Sequence, residues 1–282
     1  MSATMSTALP HGRVRVSPAH AAKDTVVIMR RNLLRIVRMP QLLVFATVQP
    51  VMFLVLFNYV FGGAVGRSIP AAAGGSYLNW LLPGVLLQMA AFGSTQTAMG
   101  LIEDLNAGVI DRFRSLPMAR SAVLAGRTVA DLVRNVFVIA LVLALGYVLG
   151  FRPQTGLVSL AGGLLVAMLF GYVLSWVMAC IGLSVKNSEA AQPAAMIPMF
   201  PLVFASSVFV PTETLPDWLR AFADHQPVTR TANAVRGLML GEGALAPTQT
   251  VAGEFTAAVI WALAIVVVTA PLAVRLYRRA VS

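Results

Sequence analysis

The chain has 282 residues, of which 58% are hydrophobic and 11% charged, with a mean hydropathy of +0.79. Soluble domains carry roughly a quarter charged residues, so an ordinary water-soluble enzyme is excluded and a lipid bilayer is the natural solvent. The net charge of +10 would suit nucleic acid. In a chain this apolar, however, Lys and Arg concentrate in loops that stay in the cytoplasm, so no nucleic-acid partner is expected.

Residues 1–22, rich in Ser, Thr, Pro and Ala, cannot build a core and are read as a disordered cytoplasmic tail, leaving 23–282 as a single membrane domain. The segment 23–38 places Val26, Met29, Leu33, Ile36 and Val37 on one arc of a helix and Arg31, Arg35 and Arg38 on the other. That division suits an amphipathic helix lying in the membrane interface. A plain basic flank that fixes topology is the competing reading. Pro40 then bends the chain into the bilayer. The apolar run that follows starts too late, and is too long, for a cleaved leader, so it is read as an anchor.

A hydrocarbon core about 30 Å thick needs roughly 20 apolar residues per helix. Six stretches qualify: 42–62, 77–102, 129–150, 157–183, 193–211 and 255–274. The expected fold is therefore all-α and polytopic, with six transmembrane helices in the plasma membrane. An even number of spans puts both termini on one side. Of the 21 Lys and Arg, only Arg67, Arg152, Arg220, Arg230 and Arg236 then fall on the opposite side. The positive-inside rule places both termini in the cytoplasm.

Polar residues inside these spans must face protein, water or substrate. Gln49 and Asn58 in the first span, and Gln88 and Gln96 in the second, are candidates for a substrate path; hydrogen bonding between packed helices explains them equally well. Phe53, Phe57, Met89 and Phe92 suit an adaptable apolar cavity or ordinary core packing. Asp131 and Arg134 stand one turn apart, where a local pair is expected.

The loop 103–127 mixes Glu103, Asp104 and Asp111 with Arg112, Arg114 and Arg120 around apolar Val109, Ile110, Phe113, Leu116 and Met118. A connector needs only a few polar residues, so this reads as a docking surface, with a solvated hairpin as the alternative. Gly108 and Pro117 bracket a short predicted helix over 109–116. Beyond the fifth span, Thr214 and Asp217 have capping-box spacing, and Leu215, Trp218, Leu219 and Phe222 recur at i, i+3, i+4 and i+7. A second stripe through Val228, Ala232, Val235 and Met239 ends at Gly241. These two short amphipathic helices are read as an outer gate over a cavity, or as re-entrant or interfacial packing elements.

At these segments the chain resembles the permease subunits of type-2 ABC exporters of the daunorubicin-resistance type. The likeness is strongest in DRFRSLPMARSAVLAGRTVADLVRN, running from Asp111 to Asn135, and in PTETLPDWLRAFADHQPVTRTANAVRGL, running from Pro211 to Leu238. The resemblance implies a permease, expected as a homodimer, bound to two copies of a separate cytoplasmic ABC ATPase and exporting a hydrophobic or amphiphilic compound. It places ATPase docking on Glu103, Asp104, Asp111, Arg112, Phe113, Arg114, Ser115, Leu116, Pro117 and Met118, assisted by an interfacial helix with Arg31, Leu33, Arg35, Ile36 and Arg38. ATP and magnesium would sit on that partner, with no cofactor on this chain.

The residues agree with a transport subunit that is not an enzyme. Lys23 and Lys186 are the chain's only lysines and neither follows Gly, so no GxxxxGK phosphate loop exists. His11, His20 and His225 show no metal-binding spacing, and Cys180 is alone. The alternative is an ion-driven secondary transporter, a class that places carboxylates within its spans as relays. Here every Asp and Glu falls in a loop or near a span end.

Overall fold

The computed structural model describes residues 40–65, 69, 76–106, 120–185 and 188–280, together with 26, 27, 30 and 34. Among the described residues there are helices and connecting turns and no strand, as an apolar chain that must satisfy its own backbone requires. The tail 1–22 lies outside the described residues. So do the docking-loop residues Asp111, Arg112, Phe113, Arg114, Ser115, Leu116, Pro117 and Met118, and Arg31, Leu33, Arg35, Ile36 and Arg38 of the interfacial segment.

Helix α1 spans Pro40–Val65. Its residues Val44, Val48, Met52, Leu56 and Val60 recur every fourth position and are exposed, while Leu54 is fully buried. One face is thus offered to lipid or a partner and the other to the chain's own core. The second predicted span is divided into α2, Tyr77–Gly93, and α3, Thr95–Asn106, separated at Ser94. Helix α4, Arg120–Leu149, ends in a Schellman turn: Gly150 takes φ 109°, Phe151 N–H donates to the Gly146 carbonyl at 2.8 Å, and Gly150 N–H to that of Tyr147 at 3.2 Å. Phe151 is fully buried beside the Tyr147 ring, which closes the motif with an apolar contact.

Helix α5, Leu157–Ser184, is the central post. It carries Gly163, Ala167, Gly171, Ser175 and Ala179 at four-residue spacing, all buried. This small-residue stripe lets neighbouring backbones approach, which is how helices associate where lipid removes the hydrophobic driving force. A methyl group on Gly171 would stand 2.8 Å from the Ala90 carbonyl oxygen, and one on Gly182 2.8 Å from the Ala98 backbone. Helices α2 and α3 therefore lie directly against α5.

Helix α6, Ser188–Phe204, contains Pro193, Pro198 and Pro201. It stops at Phe204, whereas the sequence predicts a span to 211. Its 17 residues reach about 25 Å. The chain continues as a buried turn in which Ser206, Ser207, Val208 and Phe209 are enclosed, then a short 3-10 turn, Thr212–Thr214. Irregular backbone is tolerated there because side chains satisfy it: Gln226 Nε2 donates to the carbonyls of Leu202 and Ala205, and Tyr77 Oη to that of Phe209 at 2.7 Å.

Helix α7, Asp217–His225, has Pro216 as its N-cap with no side-chain cap, and Thr214 Oγ1 donates instead to the Pro211 carbonyl at 2.7 Å. The expected capping box does not form. Pro216 holds Leu215 in extended backbone (ψ 151°), so the helix cannot begin before the proline. Helix α8, Pro227–Leu240, ends at Gly241 with φ 87°, as the sequence predicts, and α9 runs Val251–Ala280. Helix α8 packs against α2, α5 and α9 and is almost wholly buried, which makes it a core element.

Among the described residues, Tyr77–Glu103, Leu157–Ser184 and Val251–Arg279 are long and apolar enough to cross a bilayer, and Thr47–Gly63 and Val133–Leu149 are shorter apolar helices inside α1 and α4.

Candidate transport cavity and buried outer helix

A cavity of about 320 Å³ lies where α1, α2, α3, α4 and α6 meet. Three of the four glutamine and asparagine residues chosen from the sequence converge on it: Gln49 from α1, Gln88 from α2 and Gln96 from α3. Asn58 is not among its lining residues. It stands nine positions along α1 from Gln49, about 13 Å away. The apolar walls are Phe53, Met89 and Phe92, also expected, with Val138, Ile139 and Met196. Phe57 is elsewhere, stacked on Phe209 with ring centroids 4.5 Å apart.

Local sequence explains how the second span presents this wall. Ser94 Oγ donates to the Ala91 carbonyl at 2.6 Å and Thr95 Oγ1 to that of Phe92 at 2.7 Å, so two consecutive hydroxyls compete with the helical ladder and interrupt it. The carbonyl of Gly93 accepts Arg134 Nη2 at 3.0 Å from α4. A side chain at Gly93 would displace the Asn135 amide. Arg134 and Asn135 thus join the cavity wall and brace the break. The side chain of Asp131, the expected partner of Arg134, is outside the described residues.

Gln88 is 3% exposed, and its Oε1 has no hydrogen-bond partner among the described residues. Gln49, Gln96 and Gln192 are exposed at the cavity rim. Gln192 was not singled out in the sequence. Its signal is an amide directly before Pro193 at the start of an apolar run.

The outer-gate stripe divides. Trp218 and Phe222 are 76% and 48% exposed, whereas Leu215 and Leu219 are half-buried. Arg236 of α8 is fully enclosed. The sequence counts it among the basic residues of the outer side, within the second amphipathic helix, and the structure shows its side chain enclosed in that helix. Its guanidinium lies 3.7 Å over the Trp80 ring, with Nε donating to the Trp80 carbonyl (3.2 Å), Nη1 to Asn233 Oδ1 (2.9 Å) and Nη2 to the Ser207 carbonyl (2.7 Å). The signal was available: position 236 is four after Ala232 and three before Met239, inside the apolar arc. Arg230 of the same helix pairs with buried Glu254 of α9 at 2.7 Å. A second cavity, about 230 Å³, adjoins Trp80, Arg236, Asn233 and Glu213.

Of the expected docking residues only Glu103 is described with its side chain, and it is exposed; Asp104 is described as backbone in α3. Val26, Val27, Arg30 and Leu34 are helical, and the three apolar ones are all more than 40% exposed. No cluster of three metal-ligating side chains occurs among the described residues.

Residues 23–240 match a family described as ABC-2 type transporter. The chain is 34% identical over 280 residues to the daunorubicin resistance ABC transporter permease protein of Streptomyces coeruleorubidus, covering 99% of this chain and 94% of that one. It is 28% identical over 236 residues to a probable doxorubicin resistance ABC transporter permease protein of Mycobacterium tuberculosis, with 83% and 81% covered. A putative transport permease of Cyanophora paradoxa is 23% identical, with 77% and 74% covered.

Proposed function

Because this chain belongs to the ABC-2 type transporter family, we propose that it is the multi-pass permease subunit of an exporter that removes a hydrophobic or amphiphilic compound from the cell, driven by ATP hydrolysis on a separate subunit. The observation that carries the reading is the convergence of Gln49, Gln88 and Gln96 from three helices on one cavity walled by Phe53, Met89 and Phe92. A few convergent polar groups in an apolar wall are what an amphiphile needs. Permeases named for daunorubicin and doxorubicin resistance among the relatives support a drug- or antibiotic-like cargo.

In this reading six spans place both termini in the cytoplasm. Two copies of the ATPase, holding ATP and magnesium, dock on Glu103, Asp104 and the loop centred on Phe113, with the amphipathic segment before Pro40 alongside. Two copies of this chain face each other across α1 and α6. The exposed amides of Gln49 on α1 and Gln192 on α6 support that face, since amides left to lipid cost free energy and a second copy covers them. Nucleotide-driven closure of the ATPases moves the loop and α3, and the cavity wall beyond Ser94 moves with them. The buried α8 is the fixed floor of the outer end, and α7, with exposed Trp218 and Phe222, is the part free to open.

Purification of the tagged chain from its native membranes in mild detergent tests the assignment. Recovery of an ATPase carrying a phosphate-loop motif in equal amount is expected, and Phe113→Asp should lose it while the permease stays in the membrane. Recovery of the chain alone under conditions that preserve known complexes would overturn the assignment.

A further inference from the structure

Carboxamides between membrane helices ordinarily bond to one another or to a neighbouring backbone, the packing role that competes with a substrate path when only the sequence is read. The cavity where α1, α2, α3, α4 and α6 meet is lined by five of them, Gln49, Gln88, Gln96, Asn135 and Gln192, and none makes a side-chain hydrogen bond among the described residues. They do not stitch the helices together. Gln49, Gln96 and Gln192 are exposed, where water or a second copy of the chain can serve them. Gln88 on α2 and Asn135 on α4 are only 3% and 9% exposed. The chain itself encloses them, out of reach of a second copy that meets α1 and α6.

Two enclosed carboxamides with nothing bonded to them cost free energy until an occupant of the cavity fills them. Each has an oxygen that accepts and an NH₂ that donates, and the amide turns about its last torsion at small cost, so either end can meet that occupant. A group that only accepts, such as a ketone or ester, serves the nitrogens alone. One that only donates, such as an ammonium, serves the oxygens alone. A hydroxyl or a carboxamide serves both. The rings of Phe53 and Phe92 supply apolar wall in a volume of about 320 Å³, the small end of drug-sized sites.

We propose that the cavity selects an amphiphile whose polar groups both donate and accept, hydroxyls or carboxamides on an apolar skeleton, over one of the same shape whose groups do only one of the two. Gln88 and Asn135 are the side chains that make the selection. This deepens the export reading and rests on it.

The test measures equilibrium binding to the full-length chain, with its co-purifying ATPase retained, in lipid nanodiscs. The probes are 2,6-naphthalenedicarboxamide and 2,6-diacetylnaphthalene, which share a shape but differ in that the second only accepts. The quantity read is the preference, the Kd of the diacetyl compound over that of the dicarboxamide. Hydration and lipid partition of the two probes are the same for every variant, so they cancel when preferences are compared. Gln88→Leu and Asn135→Leu should each lower the preference about 10-fold, the worth of one good buried hydrogen bond. Gln88→Leu removes an unbonded polar group from the interior and keeps the fold, so it decides the matter alone where Asn135→Leu does not purify. Phe92→Trp, which fills the cavity, should weaken both probes. An unchanged preference in Gln88→Leu, with both probes weakened by Phe92→Trp, leaves the cavity as the binding site and overturns selection by its amides. Binding untouched by Phe92→Trp, or binding of neither probe, would overturn the cavity reading together with the proposal.

Discussion

Replacing Arg236 with Ala tests whether the buried helix α8 is a structural keystone. The guanidinium is fully enclosed and serves three acceptors. The Trp80 carbonyl lies within α2 and keeps a helical donor, and Asn233 Oδ1 still accepts Ser207 Oγ at 2.8 Å. The cost therefore falls mainly on the Ser207 carbonyl, in a turn with no ladder to replace the lost donor, at about 2 kcal/mol. Loss of the bond to Asn233 adds about 1 kcal/mol, and loss of the stacking over Trp80 about 1 kcal/mol. The total is about 4 kcal/mol. In a thermal melt of the detergent-purified chain this corresponds to a drop of roughly 10 °C. Arg236→Lys keeps the charge but not the three-way geometry, and should fall between wild type and the Ala variant. A melt for Arg236→Ala within about 2 °C of wild type would refute the reasoning.

Three further outcomes follow from the packing. Gly171→Leu should abolish the monodisperse gel-filtration peak, because a side chain there collides with the Ala90 backbone, whereas Gly162→Leu on the same helix has open space and should elute normally. Gly93→Ala forces the Asn135 amide to move at the helix break, and should lower cargo binding several-fold in a ligand titration while the protein still reaches the membrane. Trp218→Ser removes a side chain that is 76% exposed, so its melting temperature should stay within about 2 °C of wild type while the export rate drops.

Much of this fold was legible because crossing a bilayer demands a length of apolar helix that few other structures need. The misreadings have specific causes. The fifth span was carried to 211 because 205–210 carries no charge, and composition does not separate a helix from a buried turn whose carbonyls are capped by Gln226 and Tyr77 from distant positions. At Thr214, capping-box spacing competed with the restriction imposed by Pro216, and the steric rule won. Arg236 was counted only by its charge, as one of the five basic residues of the outer side, and its burial follows from a helical phase that the count ignores. In the cavity, Gln49, Gln88 and Gln96 were visible as amides in apolar runs. Their convergence, and the parts played by Arg134, Asn135 and Gln192, depend on helix pairings that one sequence does not encode locally.

The most direct test of the account is cargo movement in proteoliposomes containing the chain and its co-purifying ATPase, using a fluorescent amphiphilic compound as probe. Transport should require ATP and magnesium and persist when ionophores collapse the proton and sodium gradients. Transport that continues without nucleotide and stops when the gradients collapse would contradict the account and establish an ion-driven transporter in its place.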